Sequence, residues 1–552
     1  MPHRALLVAL CFLLQLLPLA SAHAAKDELV IGMTQFSTTL HPRIESMLAK
    51  TYVLAMTLRP VTAYDKDWNL VCMLCTELPT LENGLARLED LPDGKKGVAL
   101  TYTLQPKATW GDGKPVTSAD VAFTVEAGKH GQSGFGDTEL FKRIRTIDIK
   151  DDKTFIVHFD RVTFNYNAFA LEPLPAHLEK PLFEQGAIDY RNRTLYDTAP
   201  ATAGLYFGPY RITEVSRGAH VVLERNPTWY GPPPQFKRII LKTIENTAAL
   251  EANLLSGGID YIAGELGLSL DQGVAFEKRH QGKFDVSFKP GLVFEHMDVN
   301  LSSPLMADKR VRQALLYGLD REAMSRQLFD GRQPVALSNV NPLDWVYTAD
   351  VKTYPYDPKA AAALLDAAGW TLQGAVRRNA AGEALVVELM TTAGNRSREL
   401  VEQVIQSQWK ALGIETRIRN EPARVFFGET VTRRKFAHLA LFAWMSAPES
   451  VPRTTLHSEG ITTAANNWTG QNFTGYSNPR MDQLIDAIEV ELDKGKRKAL
   501  WAELQQIYAE DLPALPLYFR ADPFLIPKWL KGIEPTGHQF VTTLWVEQWR
   551  AE

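Results

Sequence analysis

Short stretches of alternating polar and apolar residues predict half-buried strands, and longer stretches with an apolar face predict helices. The run Ala437–Trp444 differs because it is almost continuously apolar, as expected for a strand in a sheet that is covered on both faces. The predicted strands include residues 28–32, 101–104, 155–159, 221–226, 239–242, 385–390 and 414–418, and the predicted helices include residues 44–58, 247–255, 399–412, 478–492 and 496–510.

The stretch from residue 101 to residue 126 predicts a strand, a tight turn and a capped helix in close succession. Thr101–Leu104 alternates like a strand. Gly111–Gly113 then predicts a turn, since glycine tolerates positive φ and the central Asp can accept a hydrogen bond from the backbone. Thr117 and Asp120 stand three positions apart, which is the spacing of a capping box at the start of a helix.

The order of the predicted elements indicates an α/β fold with mixed sheets. Strands at 221–226 and 239–242 are followed by a helix, a stop at Gly257–Gly258 and another strand. Residues 60–199 are predicted to form a separate α+β module. Trp444 ends the apolar run, and the carboxyl ends of strands are where α/β sheets usually bind ligands.

Length and charge narrow the class of protein. At about 100–200 residues per domain, the 552 residues predict about three domains. The formal net charge of −4 is spread without long runs of one sign, so we expect no nucleic acid among the partners. The proportions of 45% hydrophobic and 22% charged residues are those of an ordinary globular protein.

The N-terminus has the features of a secretory signal peptide over residues 1–24. Arg4 precedes the apolar run Ala5–Leu19, and Ala22–Ala24 has the small-x-small form of a cleavage site. The apolar run continues beyond Cys11, which is unlike a lipid-modified N-terminus. We therefore expect a soluble periplasmic protein that is not a lipoprotein.

Cys72 and Cys75 remain after cleavage. Three positions apart, they can form a disulfide if the chain turns there. A redox pair would need a thioredoxin-like unit, and a zinc site would need two further ligands nearby. Neither is apparent, so a structural pair, bridged or unbridged, is the favoured interpretation.

Several segments, in the same order, resemble those of a known family. They are the stretch 101–126, Gly208–Tyr210, the run Asp308–Ala314 with the sequence Asp-Lys-Arg-Val-Arg-Gln-Ala, Tyr356–Pro358, and Pro513–Phe519. Together they resemble the extracellular solute-binding proteins of the peptide, nickel and opine class (family 5) of ABC importers. The resemblance covers nearly the whole mature chain.

This resemblance implies a two-lobed periplasmic-binding-protein fold with mixed α/β sheets and an extra α+β domain. One lobe would comprise residues 25–59, 200–290 and 520–552, the other residues 291–519, and the extra domain residues 60–199. A ligand would be enclosed as the lobes close about a hinge of crossing strands. The partners implied are a small peptide or peptide-like ligand and the permease subunits of the inner membrane, with the binding protein itself a monomer.

The resemblance also places candidate ligand-binding residues. Peptide recognition in this class resembles strand addition, with side chains in wet pockets. By position, Phe36 and Thr38 of the first loop would contact the ligand, as would the Trp444–Ser446 segment that includes Met445. In the family the first loop ends in Leu-Asp-Pro, and here His41 replaces the Asp.

One departure from the family leaves the ligand class open. Peptide binders hold the ligand's ammonium with an Asp three residues after the Trp, where this chain has Ala447. A buried ammonium needs a carboxylate, and Glu449 is the nearest candidate. Candidate partners for a ligand carboxylate are Arg396, Arg398 and Arg424. Peptides are the favoured class of ligand, followed by opines, amine-blocked peptides or a chelated metal.

An enzyme is the rival class. The sequence contains no Gly-x-Ser-x-Gly, His-Glu-x-x-His, Walker A or dinucleotide-binding motif. Gly111–Lys114 superficially resembles a phosphate loop, but Pro115 stands where Ser or Thr is needed. We therefore expect no catalytic residues, no cofactor and no resident metal, and a secreted hydrolase is the weaker hypothesis.

Overall fold

The computed structural model describes residues 26–552 except 45–46, 93, 136–138, 245, 281, 423–424, 466–467 and 469. The predicted signal peptide and Arg424 lie outside the described residues. The strands are β1 (Glu28–Met33), β2 (Thr62–Tyr64), β3 (Leu70–Cys72), β4 (Ala86–Asp90), β5 (Lys96–Thr103), β6 (Ile144–Ile149), β7 (Thr154–Phe159), β8 (Tyr210–Ser216), β9 (His220–Arg225), β10 (Arg238–Thr243), β11 (Tyr261–Ile262), β12 (Phe284–Val299), β13 (Thr371–Gln373), β14 (Val376–Arg378), β15 (Val386–Met390), β16 (Glu415–Ile418), β17 (Leu439–Met445), β18 (Ala514–Pro527), β19 (Leu530–Lys531) and β20 (Arg550–Ala551).

Helices occur between most of these strands. The α-helices are α1 (Leu48–Leu54), α2 (Ser118–Lys129), α3 (Glu139–Arg143), α4 (Ala176–Glu184), α5 (Tyr190–Arg193), α6 (Leu195–Thr198), α7 (Thr247–Ser256), α8 (Leu270–Arg279), α9 (Pro304–Ala307), α10 (Lys309–Tyr317), α11 (Arg321–Phe329), α12 (Pro358–Ala367), α13 (Arg396–Ala411), α14 (Arg453–Leu456), α15 (Pro479–Val490) and α16 (Lys494–Asp511). No helix in the described part of the chain is both long and apolar enough to cross a bilayer.

Three larger sheets organise the molecule. The first sheet has the strand order β11-β1-β10-β9-β8, and the second sheet has the order β16-β15-β17-β12-β18. Both are mixed: β1 pairs in parallel with β10 and β11, and β17 pairs in parallel with β15 but antiparallel with β12. The antiparallel module sheet, β4-β5-β7-β6, lies within residues 86–159. The prediction of an α/β fold with mixed sheets is confirmed.

The strand β17 shows why its sequence is almost continuously apolar. Leu439 and Leu441 pack into the core shared with helices α10 and α13, whereas Ala440 and Phe442 pack into a separate aromatic cluster on the other face. Successive side chains on a strand point to opposite faces, so both faces of β17 are buried. The predicted coverage on both faces is confirmed.

The stretch 101–126 folds as predicted, into a strand, a turn and a capped helix. Gly113 has φ +90° in the turn, and Thr117 and Asp120 form a capping box at the start of α2. The carboxylate of Asp120 also accepts hydrogen bonds from the indole N–H of Trp110 (3.2 Å) and the backbone N–H of Ala176 (2.8 Å). One buried acid therefore joins the turn, the α2 cap and the start of α4.

The predicted helix over residues 44–58 is shorter in the structure. The helix α1 ends at Leu54, and Met56 and Thr57 then donate to carbonyls only three residues earlier. The carbonyl of Thr57 accepts from the backbone N–H of Gly208 (2.7 Å) instead of continuing the helix. A Cβ at Gly208 would lie 2.5 Å from the Thr57 carbonyl carbon, so this contact requires glycine.

One hydrophobic core is shared by elements that lie far apart in the chain. One continuous hydrophobic cluster includes Leu29 of β1, Leu100 of β5 and Trp549 near the C-terminus. The first sheet, the module sheet and the C-terminal segment thus share one core. The second sheet has its own clusters. Cys72 and Cys75 are joined by a disulfide, with their Cα atoms 5.1 Å apart.

We expect Asp120→Ala to destabilise the protein by about 2–4 kcal/mol, because it removes the cap and leaves the Trp110 and Ala176 N–H groups without their acceptor. The measurement is the midpoint of thermal or urea unfolding. Glu126→Ala, on the exposed side of the same helix, is the control and should change stability by less than about 1 kcal/mol. Equal effects of the two substitutions would contradict the assigned role of Asp120.

Candidate functional site

Strand β17 brings three of the predicted ligand-binding residues to one end of the second sheet. Trp444 is half-buried, and its ring stacks on Phe473 with centroids 5.8 Å apart. Met445 is 47% exposed. Ser446 follows the strand, and its backbone N–H donates to the carbonyl of Leu292 (3.3 Å). The three residues lie side by side at the rim of the sheet.

A cavity of about 180 Å³ opens beside these residues and extends along one face of the second sheet. We call it the sheet cavity. Its lining comprises Phe294, His296, Asp298, Asn339, Trp444, Met445, Ser446, Ser450, Val451, Pro452, Thr454, Thr455, Leu456, Gln471, Thr474, Tyr508, Pro513 and Ala514. The lining mixes aromatic rings with polar groups, a composition typical of small-molecule sites.

One edge of β17 near the cavity lacks a strand partner beyond Ala440, and its Leu441 carbonyl accepts from the Thr391 hydroxyl (2.7 Å). Its residues Leu439–Met445 pair with β12 along one side, whereas β15 pairs on the other side only with Leu439 and Ala440. Among the described residues, no strand pairs with that second edge beyond Ala440. A free edge of this kind presents main-chain donors and acceptors to an added strand.

A second, smaller cavity of about 20 Å³ lies between elements of the first and second sheets. We call it the cleft cavity. Leu48 and Val541 line it on the side of the shared core, and Val293 and Met445 line it on the side of the second sheet. Met445 contributes to both cavities, so the two are neighbours.

Two carboxyl groups, Glu265 and Asp522, line the cleft cavity. Glu265 Oε1 accepts from the backbone N–H of Thr542 (2.8 Å), while Oε2 is buried without a hydrogen-bond partner. Burial raises the pKa of Glu265. Burial also raises the pKa of Asp522 to about 6; the charge of Arg520 opposes this increase and that of Glu265 adds to it.

The predicted loop residues Phe36 and Thr38 line neither cavity. Phe36 is half-buried against the shared core, and Thr38 is exposed with its hydroxyl 3.6 Å from Met47 Sδ. The loop is held by Asp197, which accepts from the backbone N–H of Leu40 (2.8 Å). The assignment of Phe36 and Thr38 to ligand binding stays a prediction.

His41 stabilises the same loop. Its Nδ1 accepts from the backbone N–H groups of Arg43 (3.1 Å) and Ile44 (3.2 Å), so Nε2 carries the proton and donates to the Tyr190 hydroxyl (3.1 Å). Tyr190 donates in turn to Glu179 (2.6 Å). Burial and the nearby lysine and arginine charges lower the pKa of His41, so the ring is neutral. An imidazole thus accepts backbone hydrogen bonds here, where the family has a carboxylate.

Glu449 is already engaged within the protein. Its carboxylate pairs with Arg497 and accepts from the indole N–H of Trp345 (3.0 Å). Its backbone N–H donates to Asp344 Oδ2 (2.6 Å). The Arg497 guanidinium also lies 4.6 Å from the ring centroid of Phe164, a residue of the predicted extra domain. The role of Glu449 as an ammonium partner stays a prediction, and its observed contacts brace the second lobe against that domain.

Arg398 is buried in a second charge cluster. Its guanidinium lies 3.2 Å from Glu295 Oε1, and Arg520 binds the same carboxylate from the other side. Glu295 and His296 are adjacent on β12, so their side chains point to opposite faces and Arg398 lies on the face away from the sheet cavity. Burial alone would raise the pKa of Glu295, but the two arginine charges outweigh it and lower the pKa to about 2.

Arg396 lies in the first turn of α13 and is exposed. It lines neither the sheet cavity nor the cleft cavity. The assignment of Arg396 and Arg398 as partners of a ligand carboxylate therefore stays a prediction. No group of three His, Cys, Asp or Glu side chains within the described ranges is arranged to hold a metal ion.

The polar residues that line the two cavities and that sequence reasoning did not single out include His296, Asp298, Glu265 and Asp522. A partial signal existed for the first two. They alternate with Phe294 along β12, which puts a histidine and an acid on one face of the strand. For Glu265 and Asp522 there was no local signal, because they meet only through the packing of distant segments.

Comparison with solved structures defines the class of fold. The chain has a TM-score of 0.78 and 29% identity to an oligopeptide-binding protein of Thermus thermophilus complexed with a pentapeptide, covering 95% of this chain and 96% of that one. It has a TM-score of 0.77 and 22% identity to NikZ of Campylobacter jejuni in complex with Ni(L-His), covering 95% and 99% of the two chains. The fold is the two-lobed periplasmic-binding-protein fold with an extra α+β domain.

Sequence comparison then identifies the family. The model of "Bacterial extracellular solute-binding proteins, family 5 Middle" matches residues 81–462. The chain is also 25% identical over 513 residues to the oligopeptide-binding protein AppA of Bacillus subtilis (strain 168), covering 92% of this chain and 88% of that protein. The chain belongs to family 5 of the bacterial extracellular solute-binding proteins, which confirms the family predicted from its motifs.

We expect Glu295→Gln to destabilise the second lobe by about 3–5 kcal/mol at neutral pH, because Arg398 would remain buried without a counter-charge. The lowered pKa means that the stabilisation by Glu295 is full above its ordinary pKa of 4.5 and is lost as the pH falls towards about 2. Urea unfolding of both proteins across that range measures the difference. Glu415→Gln, an exposed acid on β16, is the control. A small loss of stability that is the same at every pH would contradict the assigned ion pairs of Glu295.

Asp522→Asn should stabilise the protein, in contrast to the loss of stability expected for Glu295→Gln. Because the folded protein holds this proton up to a pKa of about 6 while the ordinary pKa is 3.8, stability falls as pH rises through that window. Removing the charge should raise stability by about 1–3 kcal/mol above the window and change it little below. Thermal unfolding at about pH 4 and about pH 7.5 tests the sign. Asp285→Asn, an exposed acid on β12, is the control, and no gain at the higher pH would mean that Asp522 is hydrated in solution.

Proposed function

We propose that this protein is the substrate-binding component of an ABC importer. It captures oligopeptides or dipeptides in the cleft between its lobes and delivers them to permease subunits in the inner membrane. In this proposal residues 25–59, 200–290 and 520–552 form one lobe, residues 291–519 form the other, and residues 60–199 form the extra domain. The protein works in the periplasm as a monomer after removal of residues 1–24.

The observation that carries the proposal is the free edge of β17 beside the sheet cavity. Beyond Ala440 this edge has no strand partner among the described residues, and it ends at Trp444 and Met445. An extended peptide can add to such an edge through main-chain hydrogen bonds, which are independent of peptide sequence. The adjoining cavity has room for a side chain of the added strand.

The relatives support a peptide as the solute. The solved Thermus protein that is 29% identical to this chain holds a pentapeptide, and the Bacillus relative is named an oligopeptide-binding protein. The position of Ala447 remains the departure that favours the alternatives, namely an opine, an amine-blocked peptide or a chelated metal. Binding and transport, rather than hydrolysis, agree with the names of these relatives.

Two long strands provide the connection across which the lobes would move. The first half of β12 pairs with residues 521–527 of β18 and its second half pairs with residues 514–519, with the register shifting between Pro290 and Phe294. Contacts away from this hinge hold the lobes together. They include the hydrogen bonds from Ser397 to Asp271 (2.8 Å) and from the backbone N–H of Phe164 to the carbonyl of Glu489 (2.8 Å). Opening the cleft would break them.

The test is binding of alanine peptides of two to five residues, measured by calorimetry and by the thermal midpoint, which a ligand of the folded state raises. Trp444→Ala should weaken the binding of any such peptide about tenfold or more, because it removes the aromatic wall beside the free edge. Trp444→Phe should retain most of the affinity. Tyr356→Ala, an exposed aromatic outside both cavities, is the control. If no peptide binds, while an opine or a nickel chelate does, the peptide assignment is wrong.

A further inference from the structure

We infer that the sheet cavity is a specificity pocket for a basic side chain of the bound peptide, with Asp298 as its counter-charge. This inference rests on the proposed function. The inference goes beyond that function by naming the kind of peptide that binds best.

Strand β12 places an aromatic ring and two polar groups in a row along the cavity. Phe294, His296 and Asp298 are two residues apart, so their side chains lie on one face. All three line the cavity, and their neighbours on β17 are Trp444, Phe442 and Ala440, in that order. Asp298 therefore lies at the end of this row that is farthest from Trp444.

The acid at that end of the row is buried and poorly neutralised. Asp298 is 5% exposed, and its carboxylate makes one polar side-chain contact among the described residues, with His296 Nε2 at 3.1 Å. None of the described residues that line the cavity is a lysine or an arginine. A buried carboxylate without a cation is unfavourable unless a ligand supplies one.

A neutral His296 ring would not satisfy the acid. His296 Nδ1 lies 3.1 Å from the carbonyl of Phe294, which requires an N–H on that nitrogen. In the neutral ring Nε2 is then an acceptor, and it is buried without a hydrogen bond. Nε2 and the Asp298 carboxylate thus converge as two acceptors, and a donor between them would satisfy both.

A third hydrogen-bond acceptor adds to the excess of acceptors over donors in the cavity. Asn339 lines the same cavity, and its Oδ1 is buried without a hydrogen-bond partner. Lysine brings three donors on one cation, and arginine brings five in a fixed fork. Both carry the charge on a long apolar stem that can pass between the rings of Phe294 and Trp444 while the head reaches the acceptors. Neutral or acidic side chains offer neither the charge nor the number of donors.

The end of β17 lies at both the pocket and the edge on which the peptide backbone would pair. Met445 and Ser446 line the cavity where β17 ends, next to the free edge on which a peptide would add. Alternate side chains of an added strand point to the same face. One position of the peptide would therefore direct its side chain into the sheet cavity while its main chain stays on the edge of β17.

The test is a lysine scan. Pentaalanine and five variants with lysine at one position each are titrated into the full mature chain by calorimetry. We expect one position to bind at least about tenfold more tightly than alanine, which corresponds to about 1.4 kcal/mol. At that position arginine should also be favoured, norleucine should give little gain, and glutamate should bind more weakly than alanine.

Asp298→Asn keeps the shape of the side chain and removes its charge. It should reduce the preference for lysine over alanine at that position to less than about threefold. Glu322→Gln, an exposed acid on α11, removes one charge from the same lobe and should leave the preference intact. If Asp298→Asn fails to fold, the norleucine and glutamate peptides still test the inference on the unaltered protein.

The possible results distinguish the pocket assignment from the peptide-binding function. Binding of pentaalanine without preference for lysine at any position would overturn the pocket assignment and leave the peptide-binding function standing. So would a preference for norleucine equal to that for lysine, since that would mean that the charge of Asp298 does not contribute to binding. Failure of every peptide to bind would overturn both.

Discussion

The antiparallel pairing of β12 with β18 is the constraint on which the rest of the structure depends. These two strands run side by side from the second sheet to elements that pack against the first. β12 also forms the backbone partner of β17, so the same strand fixes the free edge, the sheet cavity and the crossing between the lobes. A shift of β12 by one residue would exchange its two faces, moving Asp298 into the apolar core and Glu295 away from its arginines.

Four buried carboxyl groups differ in how they are neutralised. Glu295 and Glu449 are each bound by arginine, and these pairs join helices α13 and α16 to the second sheet and to the segment after β17. Asp522 and Glu265 form no ion pair within the described residues, and they line the cleft cavity with burial-raised pKa values. The first two are thus neutralised internally, whereas the second two are left for a ligand, a proton or water to satisfy.

Much of the fold could be predicted because its signals are local. The two-sided burial of Ala437–Trp444 follows from its composition, and the capping box at Thr117 follows from a spacing of three residues. The candidate site was harder to predict from the sequence. That Arg398 and Glu449 are already paired depends on Glu295 and Arg497, which lie 103 and 48 residues away in the chain. Alternation alone shows that His296 and Asp298 share a face of β12, but only tertiary packing determines that this face lines a cavity.

The shared core of the first sheet and the module sheet joins elements that lie far apart in the chain. Because Leu29, Leu100 and Trp549 belong to one continuous cluster, a change in the packing of one of these elements would be felt by the others. Phe164, which follows the module sheet in the chain, lies beside Arg497 of α16, and α16 packs on the second sheet through Trp501 and Leu504. The part of the molecule that holds the shared core therefore also touches the second sheet's helices at a point distant in sequence from β12 and β18.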